Sequence, residues 1–320
     1  MSTTSPYIGR REAIGLGIET VPGTSVPPQI WLRWLTQGIQ DKTTPLENES
    51  AMGVVDRVND SEVAATWAEG SIGGKVTSES IGFLLLGLFG SVSTGVAVSG
   101  IYPHTFSVNQ SSIPSTQTIT RNSPLGAKRH SYGTFDNLDI TAQAGGWVEM
   151  STAVKARAGA DSSETVAFTT EKEFTSKNIA LRVAADIASL SGATDIAAKS
   201  LKLTMQRSSE KFDPLGTGDV PQFDRGTFEA SGEFVVRLTD SQYHDDFIAN
   251  TVKALRITLS NGTTNLQFTA GRVRYRSLDE SRDRDAIVTA TIAFFCEFNT
   301  SQNASIVPVL NVSRATYVAA

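Results

Sequence analysis

The sequence predicts a mainly β protein with short helices, a β-rich α+β fold made of two tandem copies of one sheet-and-helix unit. Three observations predict it. Residues Ala68 to Thr77 lie without a gap on Ala230 to Thr239 at a constant offset of 162. Ala, Gly and Thr recur there, while Ile72 meets Phe234, Lys75 meets Arg237 and Val76 meets Leu238. Internal repetition of this kind governs the whole fold. The second observation is period-two alternation, clearest in Leu201-Lys202-Leu203-Thr204-Met205 and in Glu233-Phe234-Val235-Val236-Arg237-Leu238, which marks half-buried strands. Third, each repeated strand runs into a short helical pattern, after Thr77 and after Thr239.

Taken in order, residues 1–30 read as an N-terminal arm, because Gly15, Gly17, Gly23, Pro22, Pro27 and Pro28 interrupt regular elements. The first unit spans 31–158 and opens with a strand at Ile30–Leu35. A polar loop at 41–62 precedes a strand at 63–76. In the second unit, 199–298, the matching loop is 209–226 and the strand is 227–238. Pro45-Leu46 answers Pro214-Leu215, and Asp56-Arg57 answers Asp224-Arg225. Thr77 and Thr239 are the expected N-caps, with Gln242 completing a capping box and Asp240 and Asp245 suiting the positive end of the helix dipole. Ile81, Leu84, Leu85 and Leu88 fall at helical spacing. Further strands are expected at 104–108, 116–121, 134–141 and 147–156 in the first unit. In the second they are expected at 255–260, 265–269, 272–277 and 286–298, with Asn261-Gly262 as a hairpin turn. Residues 159–198 form a Ser/Ala/Gly-rich insert with a short strand at 179–183. Residues 299–320 form an extended tail of the kind that pairs with a neighbour's sheet edge.

Composition limits the function classes. A chain of 320 residues, 40% hydrophobic and 19% charged, can bury a core. A net charge of −5 is not that of a nucleic-acid binder. The single cysteine, Cys296, lies in Ile292-Ala293-Phe294-Phe295-Cys296 and reads as a buried structural thiol. With no apolar run before Arg10, Arg11 and Glu12, no signal peptide is expected, and synthesis in a reducing cytoplasm fits. The uncharged stretch from Ile81 to Tyr102 imitates a membrane span. Its polar, Gly-rich second half and the plainly polar counterpart 240–248 argue for a short buried helix instead.

No catalytic, cofactor or metal constellation is expected. The three histidines, His104, His130 and His244, are far apart in sequence, and no HExxH, CxxC or GxSxG occurs. Glu69-Gly70-Ser71-Ile72-Gly73-Gly74-Lys75-Val76 imitates a phosphate loop but has Glu69 and Val76 where the motif needs Gly and Ser/Thr. Arg272, Arg274 and Arg276 share one strand face. Asp279, Glu280, Arg282, Asp283, Arg284 and Asp285 follow. The mixture reads as inter-subunit charge pairing rather than a nucleic-acid site.

With those residues in view, the chain resembles the tail tube (major tail) proteins of long, non-contractile-tailed bacteriophages. Gly17-Ile18-Glu19-Thr20-Val21-Pro22-Gly23-Thr24 is similar to that family's opening signature. Tyr102–Val108, Ile113-Pro114-Ser115 and Tyr132–Leu138 are similar to its central block. Gly232–Thr239 with the following helix and Arg272-Val273-Arg274-Tyr275 is similar to its tube module. The resemblance implies two tandem β-sandwich or half-barrel modules, each with one flanking helix, contributing strands to a ring-wide β-barrel. Such rings stack into a virion conduit for DNA ejection. It also implies tape-measure, tail-terminator and distal-tail partners, double-stranded DNA passing without specific binding, and no membrane. If a ring needs six modules, two per chain give a trimer with pseudo-sixfold symmetry; a single true module would give a hexamer. Pro45, Leu46, Asp56, Arg57, Pro214, Leu215, Asp224 and Arg225 are expected at ring-to-ring contacts. A carbohydrate- or receptor-binding β-sandwich and a hydrolase on a β scaffold are the alternatives from other classes.

Overall fold

Two four-stranded sheets of the same spatial order join into one wall. The computed structural model describes residues 6–216, 220–282, 284 and 286–318. In the first sheet Trp34–Gln37, continued by Gln40–Asn48, lies beside Asp60–Lys75, then Glu149–Ala156, then Asn137–Gln143. In the second, Ala198–Gln206 lies beside Glu229–Arg237, then Thr289–Cys296, then the C-terminal half of Thr264–Ser281. Asn137–Gln143 and Ala198–Gln206 pair antiparallel and close the seam between the sheets.

The ladders coincide residue for residue. Lys75↔Glu149 through Ala68↔Ala156 becomes Arg237↔Thr289 through Ala230↔Cys296 when 162 is added to one strand and 140 to the other. Three irregularities recur as well, while the shift between Thr44 and Pro45 has no counterpart. The first ladder skips a residue between Trp34 and Thr36, and its counterpart between Ala198 and Ser200. A second skip falls between Gln117 and Ile119 and again between Lys253 and Leu255. A third isolates Asp136, between Phe135↔Val154 and the Asn137–Gln143 ladder, and again Arg276, between Tyr275↔Phe294 and Ser277↔Ala293.

Each half carries a second layer. Over the first lie Ala160–Ser162, Gly126–Phe135, Gln117–Ser123, Ala13–Ile18 and Ile30–Leu32, paired in that order. Over the second lie Ile179–Ala184, Lys253–Asn261, the N-terminal half of Thr264–Ser281, Val307–Val312, Tyr102–Val108 and Gly90–Thr94. The core between layers is apolar, with Phe135, Phe234, Phe268, Ile292 and Leu310 all buried. Helix α1 (Ser80–Phe89) is buried along its whole length, as a helix apolar all round must be. Helix α2 (Gln242–Ile248) has no buried residue. No helix among the described residues is long and apolar enough to cross a membrane.

Several expectations are corrected. The N-terminal segment is not only an arm: Ala13–Ile18 is a buried strand despite Gly15 and Gly17. A Cβ on Gly17 would come within 2.5 Å of the Pro27 carbonyl oxygen, so glycine here permits close approach instead of breaking the strand. The 41–62 loop is largely a hairpin, with Gln40–Asn48 pairing Asp60–Glu69. Within 209–226, Ser209–Phe212 pairs Gln222–Arg225. The strands expected at 265–269 and 272–277 are one strand, Thr264–Ser281, carried over both layers. Conversely 134–141 is split at Asp136.

Neither Thr77 nor Thr239 caps a helix; the cap positions are Glu79 and Ser241. Thr77 is still extended and bridged to Glu173. The start of α1 is served from the insert, where the buried Glu171 carboxylate accepts from Ser80 Oγ at 2.6 Å and Ser80 N at 3.3 Å. A carboxylate there also meets the positive end of the helix dipole. The C-terminal tail pairs within its own chain. Val307–Val312 fills the gap between Thr264–Ser281 and Tyr102–Val108 of the same chain. Beyond it Tyr317 is buried, and its hydroxyl donates to Glu79 O at 2.9 Å. His104 is buried between Thr94 Oγ1 and Arg314 O, each at 2.8 Å, and burial holds its imidazole below the ordinary histidine range.

The opening segment is anchored by Glu19, buried with four donors around its carboxylate: Gly23 N at 2.7 Å, Thr116 Oγ1 at 2.6 Å, Thr118 Oγ1 at 2.8 Å and Tyr132 N at 2.9 Å. Tyr132 has a left-handed backbone, φ 57°, that this bond helps hold. Glu19→Ala leaves those donors without an acceptor. It is expected to cost about 3 kcal/mol, read as a lower denaturation midpoint, with loss of protection at 116–118 in amide exchange.

Candidate functional site

The chemistry of this chain is concentrated at its sheet edges and loops. Among the described residues no group of three His, Cys, Asp or Glu side chains is placed to hold a metal ion. Cys296 is buried, and burial pushes its thiol up to about 12, which leaves it no nucleophilic character near neutral pH.

The wall itself ends in two strand edges that have no partner among the described residues. Trp34–Gln37 and Gln40–Asn48 pair only with Asp60–Lys75. The segment Tyr275–Ser281 pairs on one side with Thr289–Cys296 and is open on the other. Unpaired rows of N–H and C=O groups are templates for another strand. Both edges bear charge, Asp41 and Lys42 on one and Asp279, Glu280 and Arg282 on the other. Pro45 stands further along the first edge, where it offers no N–H.

The face of the wall away from the core has its own order. Directly opposed residues of an antiparallel ladder share a face. One such row runs Lys75, Glu149, Thr141, Lys202, Glu233 across five strands, so its charges alternate in sign.

The expected ring-contact residues fall in two different settings. Pro45 and Leu46 lie on the exposed hairpin, and Asp56 and Arg57 lie in its tip, where Arg57 pairs Glu49 at 2.7 Å in solvent. That tip also exposes Met52, Val54 and Val55. In the second loop Pro214 and Leu215 lie near the turn, Leu215 fully exposed, and Asp224 is exposed. Arg225 is instead buried. Its guanidinium donates to Leu88 O at 3.1 Å, to Phe135 O at 3.0 Å and to Gly87 O. It thereby closes the C-terminus of α1, whose last turn has no basic residue of its own. Burial pushes its pKa down to about 10, with the neighbouring Arg207 adding to the effect.

The arginine-rich strand is paired within the chain. Glu297 meets Arg274 at 2.9 Å and Arg272 at 3.2 Å. Arg276 stacks over the Phe295 ring, its guanidinium carbon 4.2 Å from the centroid. Arg282 pairs Glu280. Asp279 is exposed on the open edge and Arg284 lies in the exposed turn that follows, while Asp283 and Asp285 are outside the described residues. Sequence reasoning missed Glu297, which follows the Phe294-Phe295-Cys296 run. It also missed Glu19 and Glu171 as buried anchors.

The two Asp-Arg pairs therefore predict different phenotypes. Arg225→Ala leaves three carbonyls without a donor and is expected to lower stability by about 3 kcal/mol. Arg57→Ala removes only an exposed ion pair and should change it by less than about 0.5 kcal/mol. Denaturant unfolding of the two variants side by side checks both.

A family model described as phage tail tube protein matches residues 9–296. No curated protein sequence matches the chain. The match covers the paired wall, both helices and nearly all of both outer layers, so this chain belongs to the phage tail tube protein family.

Proposed function

We propose that this chain is the major subunit of a hollow phage tail, three chains to a ring, the rings stacking into the tube through which DNA leaves the capsid. The observation that carries the reading is the agreement of the two halves in strand order, register and irregularity, joined edge to edge by Asn137–Gln143 and Ala198–Gln206. Each half is then one tube module, and six modules close with three chains. Closure pairs both open edges of the wall, which is the physical reason for a ring. Heterologous contacts that close give rings rather than filaments.

On this reading the Lys75–Glu149–Thr141–Lys202–Glu233 row lines the lumen. Its balanced charge offers passing phosphates no continuous basic track, which suits a conduit. The hairpin tip with Met52, Val54 and Val55, and the turn at Pro214 and Leu215, make the contacts between rings. The partners are further copies of this chain, a tape-measure protein within the bore, and terminator and distal-tail proteins at the ends. The subunit is made in the bacterial cytoplasm and ends in the virion.

The mass of an isolated ring tests the count: three times the 34.2 kDa chain is expected, and six times would assign one module per chain. Removing 51–56 should leave unfolding unchanged and rings intact, while tubes seen by electron microscopy shorten to single rings. Tubes of normal length would remove the hairpin tip from the stacking contact.

A further inference from the structure

We infer the register of the junction between neighbouring chains: Ser277 opposite Lys42, Asp279 opposite Gln40 and Ser281 opposite Gly38 of a second copy, with the strands antiparallel. This rests on the ring reading and adds what ring formation alone leaves open, namely which backbone groups meet.

The in-chain seam and the repeat together fix this register. Adding 140 to Asn137–Gln143 and Glu149–Ala156 converts Asp139↔Ser151, Ile140↔Met150 and Thr141↔Glu149 into Asp279↔Thr291, Glu280↔Ala290 and Ser281↔Thr289. Tyr275–Ser281 is therefore the second half's copy of the seam strand, skip at Arg276 included. Adding 164 to the first edge converts Trp34↔Gly74 and Thr36↔Gly73 into Ala198↔Val236 and Ser200↔Val235, skipped residue included. The same shift converts Gln40↔Glu69 into Thr204↔Ser231. The bond from Gly38 N to Ser71 O, 2.9 Å, keeps that register across the short break between Gln37 and Gln40. Both open edges are thus superposable on the two strands of the seam. The seam pairs Asn137↔Gln206, Asp139↔Thr204 and Thr141↔Lys202 then become the pairs stated above. A one-residue slip would turn every side chain to the wrong face: Ile39 is buried in the core while Gln40 and Asp279 are exposed.

The two junctions share backbone geometry but differ in chemistry. On the core-facing side the seam sets Leu138 against Met205 and Ile140 against Leu203. The same positions between chains set Leu278 against Asp41 and Glu280 against Ile39. Carboxylates therefore stand where the permanent seam has apolar side chains. Such charges keep a lone subunit's edges from indiscriminate pairing until a matching edge arrives.

Cysteine pairs in assembled tubes read the register, because directly opposed residues lie within disulfide reach and diagonal ones do not. The buried Cys296 does not compete. Gln40→Cys with Asp279→Cys should cross-link at least tenfold more under mild oxidation than Gln40→Cys with Ser277→Cys or with Ser281→Cys. A shifted pair that outperforms it overturns the register while leaving the ring reading standing. Absence of rings and tubes from the wild-type chain overturns the ring reading itself. Amide exchange on wild-type tubes is the second arm and needs no substitution. Residues 38–42 and 277–281 should both gain protection on assembly, and protection missing from either segment overturns the proposal.

Discussion

The constraint on which this molecule depends is that backbone groups at a sheet edge must find partners. An unpaired strand leaves a row of N–H and C=O groups exposed, and a sheet can end such rows only by covering, charging or closing them. The chain solves this internally once, at the seam between Asn137–Gln143 and Ala198–Gln206, where the first sheet's last edge becomes the second sheet's first neighbour. It leaves one edge of each kind at its two ends. A wall that ends in complementary halves of its own seam is built to meet itself.

The two four-stranded sheets differ widely in side chains and agree closely in backbone register. The skipped residues recur at corresponding places although Leu35 corresponds to Lys199 and Asp136 to Arg276. A bulge sets local twist and the aim of a strand, and a one-residue change would invert the facing of everything beyond it. Register is therefore held more tightly than residue identity. Core positions need only remain apolar and of suitable volume, as where Phe135 answers Tyr275 and Ile72 answers Phe234.

Buried charges fasten the segments that a sheet alone would leave loose. Glu19 ties the opening strand to two threonine hydroxyls and a strained tyrosine amide. Glu171 brings the insert to the start of α1, and Arg225 brings the second loop to its end. Each of the three also satisfies backbone groups, Gly23 N and Tyr132 N, Ser80 N, and the Gly87, Leu88 and Phe135 carbonyls, that would otherwise be buried at a cost. The first half's helix is buried throughout while the second half's is not, which is why two of these charges, Glu171 and Arg225, sit at the ends of α1.

The β-rich class, the offset of 162 in the repeated strand, the approximate places of the two helices, the Asn261-Gly262 turn and the buried state of Cys296 were legible in the residues alone. These are local matters, set by period-two alternation, turn chemistry and apolar runs. The resemblance rested on the order of weak motifs such as Gly17–Gly23 and Tyr132–Leu138, and the family model covers both. Tertiary structure alone decided the rest. Ala13–Ile18 is a strand because its glycines let Pro27 and Pro28 approach. Thr77 does not cap because it is still bridged to Glu173, and the Glu171 carboxylate, 91 residues from Ser80, serves the helix start instead. The tail turns inward because two strands of its own chain leave a slot for it. Asp56-Arg57 and Asp224-Arg225 read alike, yet one tip stands in solvent and the other guanidinium closes a helix. Partner choice at long range depends on which backbone groups remain unsatisfied after the sheets form, and no local pattern of residues records that.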